Sequence, residues 1–134
     1  MMQNAKYKWV ETGYDLCAHE GPQRIPVERL ARMLNRNKSG YYHYFKNPEN
    51  FLHELLKYHH EEASQMAIDI QKCQTFDPDF LRIVVKHKRC IMAQVHFERK
   101  EFSTSYLTAV KQVREMIDRY LLPLWRDSFH LPQN

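Results

Sequence analysis

The sequence predicts an all-α protein, and three observations support that prediction. Apolar residues recur at intervals of three and four along most of the chain, no segment has the pattern of a strand, and only 3 glycines and 6 prolines interrupt the 134 residues. Hydrophobic residues make up 43% of the chain, which is enough for a buried core. We therefore expect helices that each bury one face.

The first two predicted helices cover residues 5–19 and 27–34. Gly21 and Pro22 should end the first helix, because glycine accepts the left-handed conformation that closes a helix and proline cannot continue one. Pro26 should lie in the first turn of the second helix, where its missing N–H is tolerated. The apolar faces comprise Trp9, Val10, Gly13, Leu16 and Cys17 in the first helix and Leu30, Ala31 and Leu34 in the second.

A tight turn at Asn35 should lead into a third, short helix over residues 37–44. A turn between crossed helices usually requires a positive φ, and asparagine tolerates this best after glycine. Tyr41 and Phe45 are four residues apart and should face inward. The residues that should face outward are Lys38, Ser39, Tyr42 and His43.

About three further helices are expected after residue 47. Asn47 should cap a long helix over residues 48–73, with Pro48 at its first position. Asp77-Pro78 should open another helix, and a break is expected near Ser103.

The last predicted helix contains a seam, residues 106–124, in which apolar residues recur alternately at four and three positions. They are Tyr106, Val110, Val113, Ile117, Tyr120 and Leu124. Such a seam packs along another helix, which can belong either to a second copy of the chain or to the same chain. Pro123 should kink or end this helix.

The net charge of +4 is concentrated at one end of the chain. Residues 1–46 carry eight basic and four acidic residues, whereas the rest of the chain carries twelve of each. A polyanion would therefore be attracted to the first third of the chain. A solvated basic face without a partner would have the same composition, so charge alone leaves both interpretations open.

The helix, tight turn and basic helix between Gly21 and Phe45 suit the major groove of DNA. Small or polar residues are needed at the N-terminal end of the second helix, where the backbone approaches the bases and flanking donors hold phosphates. The predicted DNA-binding residues are Asn37, Lys38, Ser39, Gly40, Tyr42, His43 and Lys46. The alternative is that Tyr41, Tyr42 and Tyr44 form an aromatic core edge, and we favour that role for Tyr41.

Residues 9–52 resemble the N-terminal domain of the TetR (tetracycline-repressor-like) family of bacterial regulators. The resemblance is carried by Glu20-Gly21, by Val27-Glu28-Arg29-Leu30-Ala31, and by Asn37-Lys38-Ser39-Gly40-Tyr41-Tyr42-His43-Tyr44-Phe45-Lys46. It implies a helix-turn-helix DNA-binding domain, residues 1–47, and a helical effector-binding and dimerisation domain, residues 48–134, that is short for the family. It also implies a homodimeric repressor that binds a pseudo-palindromic operator in double-stranded DNA until a small-molecule effector releases it.

The chain departs from the family pattern at several positions. Asn35 stands in place of the turn glycine, and Arg36 replaces a small apolar residue. Pro26 stands where a serine or threonine often caps the second helix and binds a phosphate. Gly40 lacks the side chain that often touches a base, so we expect poorer direct readout there.

Polar and aromatic residues that interrupt the apolar stripes are candidates for an effector pocket. They are Tyr58, His59, Gln94, His96 and Tyr106. Ordinary buried polar residues with local hydrogen bonds would have the same pattern, and we favour that alternative.

Several other classes of protein lack support in the sequence. The N-terminus has no signal-peptide pattern and no apolar run is long enough to span a membrane, so we expect a cytoplasmic protein whose three cysteines are reduced thiols. The histidines and cysteines have no metal-ligand spacing, and no catalytic or cofactor-binding motif is present, so we expect no metal, no cofactor and no enzyme activity. A helical interaction module whose basic end binds an acidic protein or a membrane surface remains the alternative function.

Overall fold

The computed structural model describes residues 4–23, 25–99 and 107–128, and within these ranges the chain forms seven α-helices and no strand. The helices are α1 (Asn4–Glu20), α2 (Val27–Leu34), α3 (Lys38–Phe45), α4 (Pro48–Gln71), α5 (Leu81–Lys86), α6 (Lys88–Phe97) and α7 (Leu107–Ser128). The predicted all-α fold is confirmed, and the first four helices begin and end within two residues of the predicted positions.

The turns between α1, α2 and α3 have the predicted backbone conformations. Gly21 has φ +97° and its N–H donates to the carbonyl of Cys17 at 3.0 Å. Asn35 is left-handed, with φ 54° and ψ 49°. The N–H groups of Asn35 and Arg36 donate to the carbonyls of Arg32 and Ala31, which is the Schellman closure of a helix end. Pro26 lies one position before α2, as its cap, rather than inside the first turn.

The start of α4 also follows its sequence signal. The side chain of Asn47 accepts a hydrogen bond from the N–H of Asn50 at 2.8 Å, and Pro48 is the first helical residue. These contacts fix the angle at which the chain leaves α3.

The region after α4 contains two short helices where the sequence predicted one. A turn at Phe76–Phe80 leads into α5, and His87 lies between α5 and α6 with φ −105° and ψ 22°. His87 is buried, and its ring lies 2.6 Å from the carboxylate of Asp69 on α4. Side-chain periodicity cannot reveal this break, because the apolar pattern continues on both sides of it.

The predicted seam on α7 packs inside the monomer. Val110, Val113 and Ile117 are buried, and α7 lies along α4. The first and last residues of the seam are Tyr106 and Leu124, and Tyr106 and the side chain of Leu124 lie outside the described part of the chain. The buried seam residues therefore do not form an exposed dimer surface. The helix continues through Pro123 to Ser128, so the proline does not end it.

Two groups of buried apolar residues form the core. The first group joins α1, α2, α3 and the first half of α4 to residues of α6 and α7. The second group lies between the second half of α4, α5, α6 and α7. The long helix α4 contributes to both groups, so it connects the N-terminal helices to the rest of the protein.

Candidate nucleic-acid interface

An aromatic cluster holds α3 against α1 and α4. The ring of Tyr41 lies 5.9 Å from that of Trp9, 5.3 Å from that of Phe45 and 5.2 Å from that of Phe51. All four side chains are buried. The core role favoured for Tyr41 is confirmed, and the opposite face of α3 is left free to contact solvent.

The exposed face of α3 carries most of the residues predicted to bind DNA. Tyr42 is 50% exposed, Gly40 is partly buried, and the exposed residues of the set are Asn37, Lys38, Ser39, His43 and Lys46. The structure thus brings the seven positions onto one surface that runs from the start of α3 to the start of α4. Their role in binding remains a prediction.

The N-terminal end of α3 has no side-chain cap. Asn37 is extended, with φ −80° and ψ 149°, and its side chain accepts no capping hydrogen bond. The first N–H groups of a helix have no partner within the helix, so those of Lys38 and Ser39 can donate to an oxygen brought against this end.

Lys38 has an ionic partner that the sequence did not reveal. Its Nζ lies 3.4 Å from Oε1 of Glu28, across the turn between α2 and α3. The pKa of Glu28 is lowered by a hydrogen bond from its own backbone and then by Lys38, so the carboxylate stays ionised. Any anionic ligand of Lys38 would have to compete with this carboxylate.

Lys46 has an unusual backbone conformation. Its φ is 68° and its ψ is −42°, and the N–H of Asn47 donates to the carbonyl of Phe45 at 2.7 Å. This is a γ-turn with a positive central φ, which is rare and strained for a residue with a Cβ. The side-chain amide of Asn50 donates to the same carbonyl at 2.8 Å and helps to hold the turn.

Three of the predicted effector residues are in buried or partly buried hydrogen-bond networks. The Tyr14 hydroxyl lies 2.5 Å from Nδ1 of His59, Nε2 of His59 lies 2.7 Å from Oε1 of Gln94, and the Gln94 amide donates to the carbonyl of Val110 at 3.2 Å. Burial lowers the pKa of His59 to about 4 and raises that of Tyr14. The lowered pKa and the two partners indicate a neutral His59, in which Nδ1 accepts a hydrogen bond from the Tyr14 hydroxyl and the Nε2–H donates to Oε1 of Gln94.

Tyr58 belongs to a neighbouring network centred on Arg89 of α6. The guanidinium donates to Oδ1 of Asp15 at 2.8 Å, to the Tyr58 hydroxyl at 2.6 Å and to Oε1 of Glu62 at 2.5 Å. It also lies over the rings of Tyr14 and Tyr58. Arg89 therefore ties α1 and α4 to α6.

The other two predicted effector residues are less defined. Nδ1 of His96 is the one buried side-chain nitrogen or oxygen without a partner in the part of the chain that is described, and it faces Gly21 at the end of α1. Tyr106 lies outside the described residues. His59 also lines an open groove of about 620 Å³ between α4 and α7. An effector role for the five residues remains a prediction.

Other kinds of site find little support in the described ranges. No group of three or more histidine, cysteine, aspartate or glutamate residues there is arranged to hold a metal ion. None of the helices described is long and apolar enough to cross a membrane. Cys17, Cys73 and Cys90 are free thiols.

The helix-turn-helix unit and the helices behind it together define a TetR-like fold. A solved structure with the same arrangement is a transcriptional regulator of the TetR/AcrR family from Aquifex aeolicus VF5, with a TM-score of 0.59 and 16% sequence identity. The likeness covers 96% of this chain and 78% of that one. No protein-family model matches the chain, and no curated protein is significantly similar to it in sequence.

Proposed function

We propose that the protein is a transcriptional regulator that binds double-stranded DNA through the exposed face of α3. One observation carries the proposal: Tyr41 and Phe45 bury one side of α3, and the opposite side presents Lys38, Ser39, Tyr42 and His43 to solvent. A short helix supported in this way can enter the major groove of B-form DNA, which is about 12 Å wide, as a recognition helix does.

The N-terminal unit proposed for DNA binding is residues 1–47, and residues 48–134 are proposed to regulate it. The charge asymmetry supports this division, because the first third of the chain carries the whole net charge. Two copies would read the two halves of a pseudo-palindromic operator. The buried part of the α7 seam is not exposed for this pairing, so the dimer must use another surface.

Repression and effector release form the finer part of the proposal. A small molecule that favours one arrangement of α4 relative to α1 and α6 would change the position of α3 and release the DNA. The networks around His59 and Arg89 support this idea, because each joins helices from both proposed units.

The first experiment measures binding to DNA by fluorescence anisotropy. The protein is titrated against a duplex from upstream of its own gene and against a scrambled duplex, at several salt concentrations. We expect a preference of about 10³-fold for the native duplex and a steep decrease in affinity with salt. Equal, weak binding to both duplexes would contradict the proposal and favour an acidic protein as the partner.

A matched set of variants tests the assignment to α3. The double variant Lys38→Ala/Tyr42→Ala should abolish binding to the preferred duplex. It should not unfold the protein, because both side chains are exposed. Lys111→Ala removes the same charge from an exposed position on α7 and should have little effect. Loss of binding by both variants would indicate nonspecific electrostatics.

A further inference from the structure

A cleft beside α3 adjoins the exposed face described above and shares Asn37, Ser39, Gly40 and His43 with it. It lies between the first turns of α1 and the start of α3 and has a volume of about 570 Å³. The described residues that line it include Arg36, Asn37, Ser39 and His43, and no carboxylate is among them. The cleft is therefore suited to an anion.

Trp9 forms the floor of this cleft. The side chain is 1% exposed, yet it lines the cleft. Its indole N–H has no hydrogen-bond partner among the residues the structure describes, and Nε1 is not fully occluded. Buried indole N–H groups usually find a partner, so this donor is available to a ligand in the cleft.

Gly40 keeps the indole edge accessible. A Cβ at this position would lie 3.5 Å from Nε1 and 3.5 Å from Cζ2 of Trp9. Any residue other than glycine would therefore place a carbon directly over the N–H edge. The missing side chain at position 40 removes one possible base contact but opens a path to a buried donor.

We propose that this cleft binds a phosphate of the DNA backbone, with the Trp9 indole N–H donating to a phosphate oxygen through the opening at Gly40. The inference rests on the proposed DNA-binding function and adds a contact to it. Arg36 and the uncapped start of α3 lie at the same cleft, and a basic residue and a helix N-terminus both favour negative charge. Trp9 is thus a positioning contact, which holds α3 in register on the duplex without reading the sequence.

The test uses two substitutions and a mixed-sequence duplex of about 24 base pairs, because phosphate contacts do not depend on the operator. Trp9→Phe removes the N–H and keeps an aromatic ring against Tyr41. Gly40→Ala keeps the N–H and covers it; the new Cβ makes only ordinary van der Waals contact, so this variant should fold. Each variant should bind the duplex about tenfold more weakly than the wild-type protein.

The dependence on salt separates this contact from an ionic one. The indole is neutral and releases no counterion, so Trp9→Phe should leave the slope of log affinity against log salt unchanged. Lys38→Ala should reduce that slope by about one. A second readout is the emission of Trp9 in a Trp125→Phe background, where it is the sole tryptophan. Its emission should change when the duplex is added.

The possible failures are distinguishable. Wild-type protein that binds no duplex at low salt would overturn the proposed function and this inference with it. Wild-type protein that binds, while both variants bind equally well, would overturn the phosphate contact alone. A weaker Trp9→Phe variant combined with an unaffected Gly40→Ala variant would show that Trp9 acts through packing, which also overturns the contact.

Discussion

The ammonium of Lys38 lies 3.4 Å from the carboxylate of Glu28, across the turn that joins α2 to α3. Both side chains are more than half exposed, so the pair contributes little to stability. The pair matters for DNA binding, because it places the negative charge of Glu28 beside the proposed DNA-binding surface and engages Lys38, which is predicted to bind DNA.

Replacing Glu28 with glutamine should strengthen binding to DNA. The change removes a competitor for Lys38 and a charge that repels phosphates, and we expect a gain in affinity of about fivefold at low salt, which diminishes as salt is added. Fluorescence anisotropy measures the gain. Glu115→Gln makes the same charge change at an exposed position on α7, and an equal gain there would contradict the specific role of Glu28.

Two glycine-to-alanine substitutions in helices should have opposite effects on stability. At Gly13 of α1 a Cβ would lie 2.5 Å from Cζ of Phe51, so Gly13→Ala should overpack the contact with α4 and lower the free energy of unfolding by about 1–3 kcal/mol. At Gly40 the nearest atoms are 3.5 Å away, so Gly40→Ala should raise that free energy by about 0.5–1 kcal/mol.

Urea denaturation at one pH compares these two variants directly. The chemical change is the same in both, and each glycine lies within a helix, so helix propensity favours alanine in each case. A stabilised Gly13→Ala variant would show that Phe51 can move aside at little cost.

Replacing Lys46 with glycine should stabilise the protein and weaken DNA binding at once. Glycine relieves the strain of the positive φ, which is worth about 1–3 kcal/mol, although its flexibility in the unfolded chain offsets roughly 1 kcal/mol of this. Loss of the ammonium should lower the affinity and reduce the salt slope by about one.

Lys46→Ala is the matched control, because it removes the charge and keeps the Cβ. It should weaken DNA binding to the same extent without the gain in stability. If both variants are equally stable in thermal denaturation, the γ-turn at position 46 does not store strain.

The protein should lose stability in mild acid because of His59. Burial lowers the pKa of its imidazole from 6.5 to about 4, so the unfolded chain binds a proton that the folded protein excludes in this range. The contribution of neutral His59 is complete above pH 6.5 and is lost as the pH falls toward 4, a change of about 3 kcal/mol for this group.

Urea denaturation between pH 7.5 and pH 4.5 measures the effect. His59→Gln removes the titrating group, so its free energy of unfolding should depend less steeply on pH over this range, whatever its absolute stability. The comparison of slopes isolates His59 from the other seven histidines. Parallel curves for the two proteins would contradict the assignment.

Much of the local structure followed from short-range signals. The left-handed Asn35, the capping Asn47 and the inward-facing Tyr41 were each predicted from residue type and spacing within one or two turns of helix. The interruption at His87 was missed, because the apolar pattern does not change there and the ring of His87 is bound by a residue on another helix.

The sequence by itself determined that the chain is helical, where the first helices begin and end, and which face of α3 meets solvent, since these depend on intervals of three and four residues. Only the tertiary structure decided that Glu28 engages Lys38, that Trp9 lies under Gly40, and that the α7 seam packs against α4 within one chain. Those contacts join residues whose separation along the chain has no helical period, because they depend on how whole helices pack. The same packing places His59 between Tyr14, 45 residues away, and Gln94, 35 residues away.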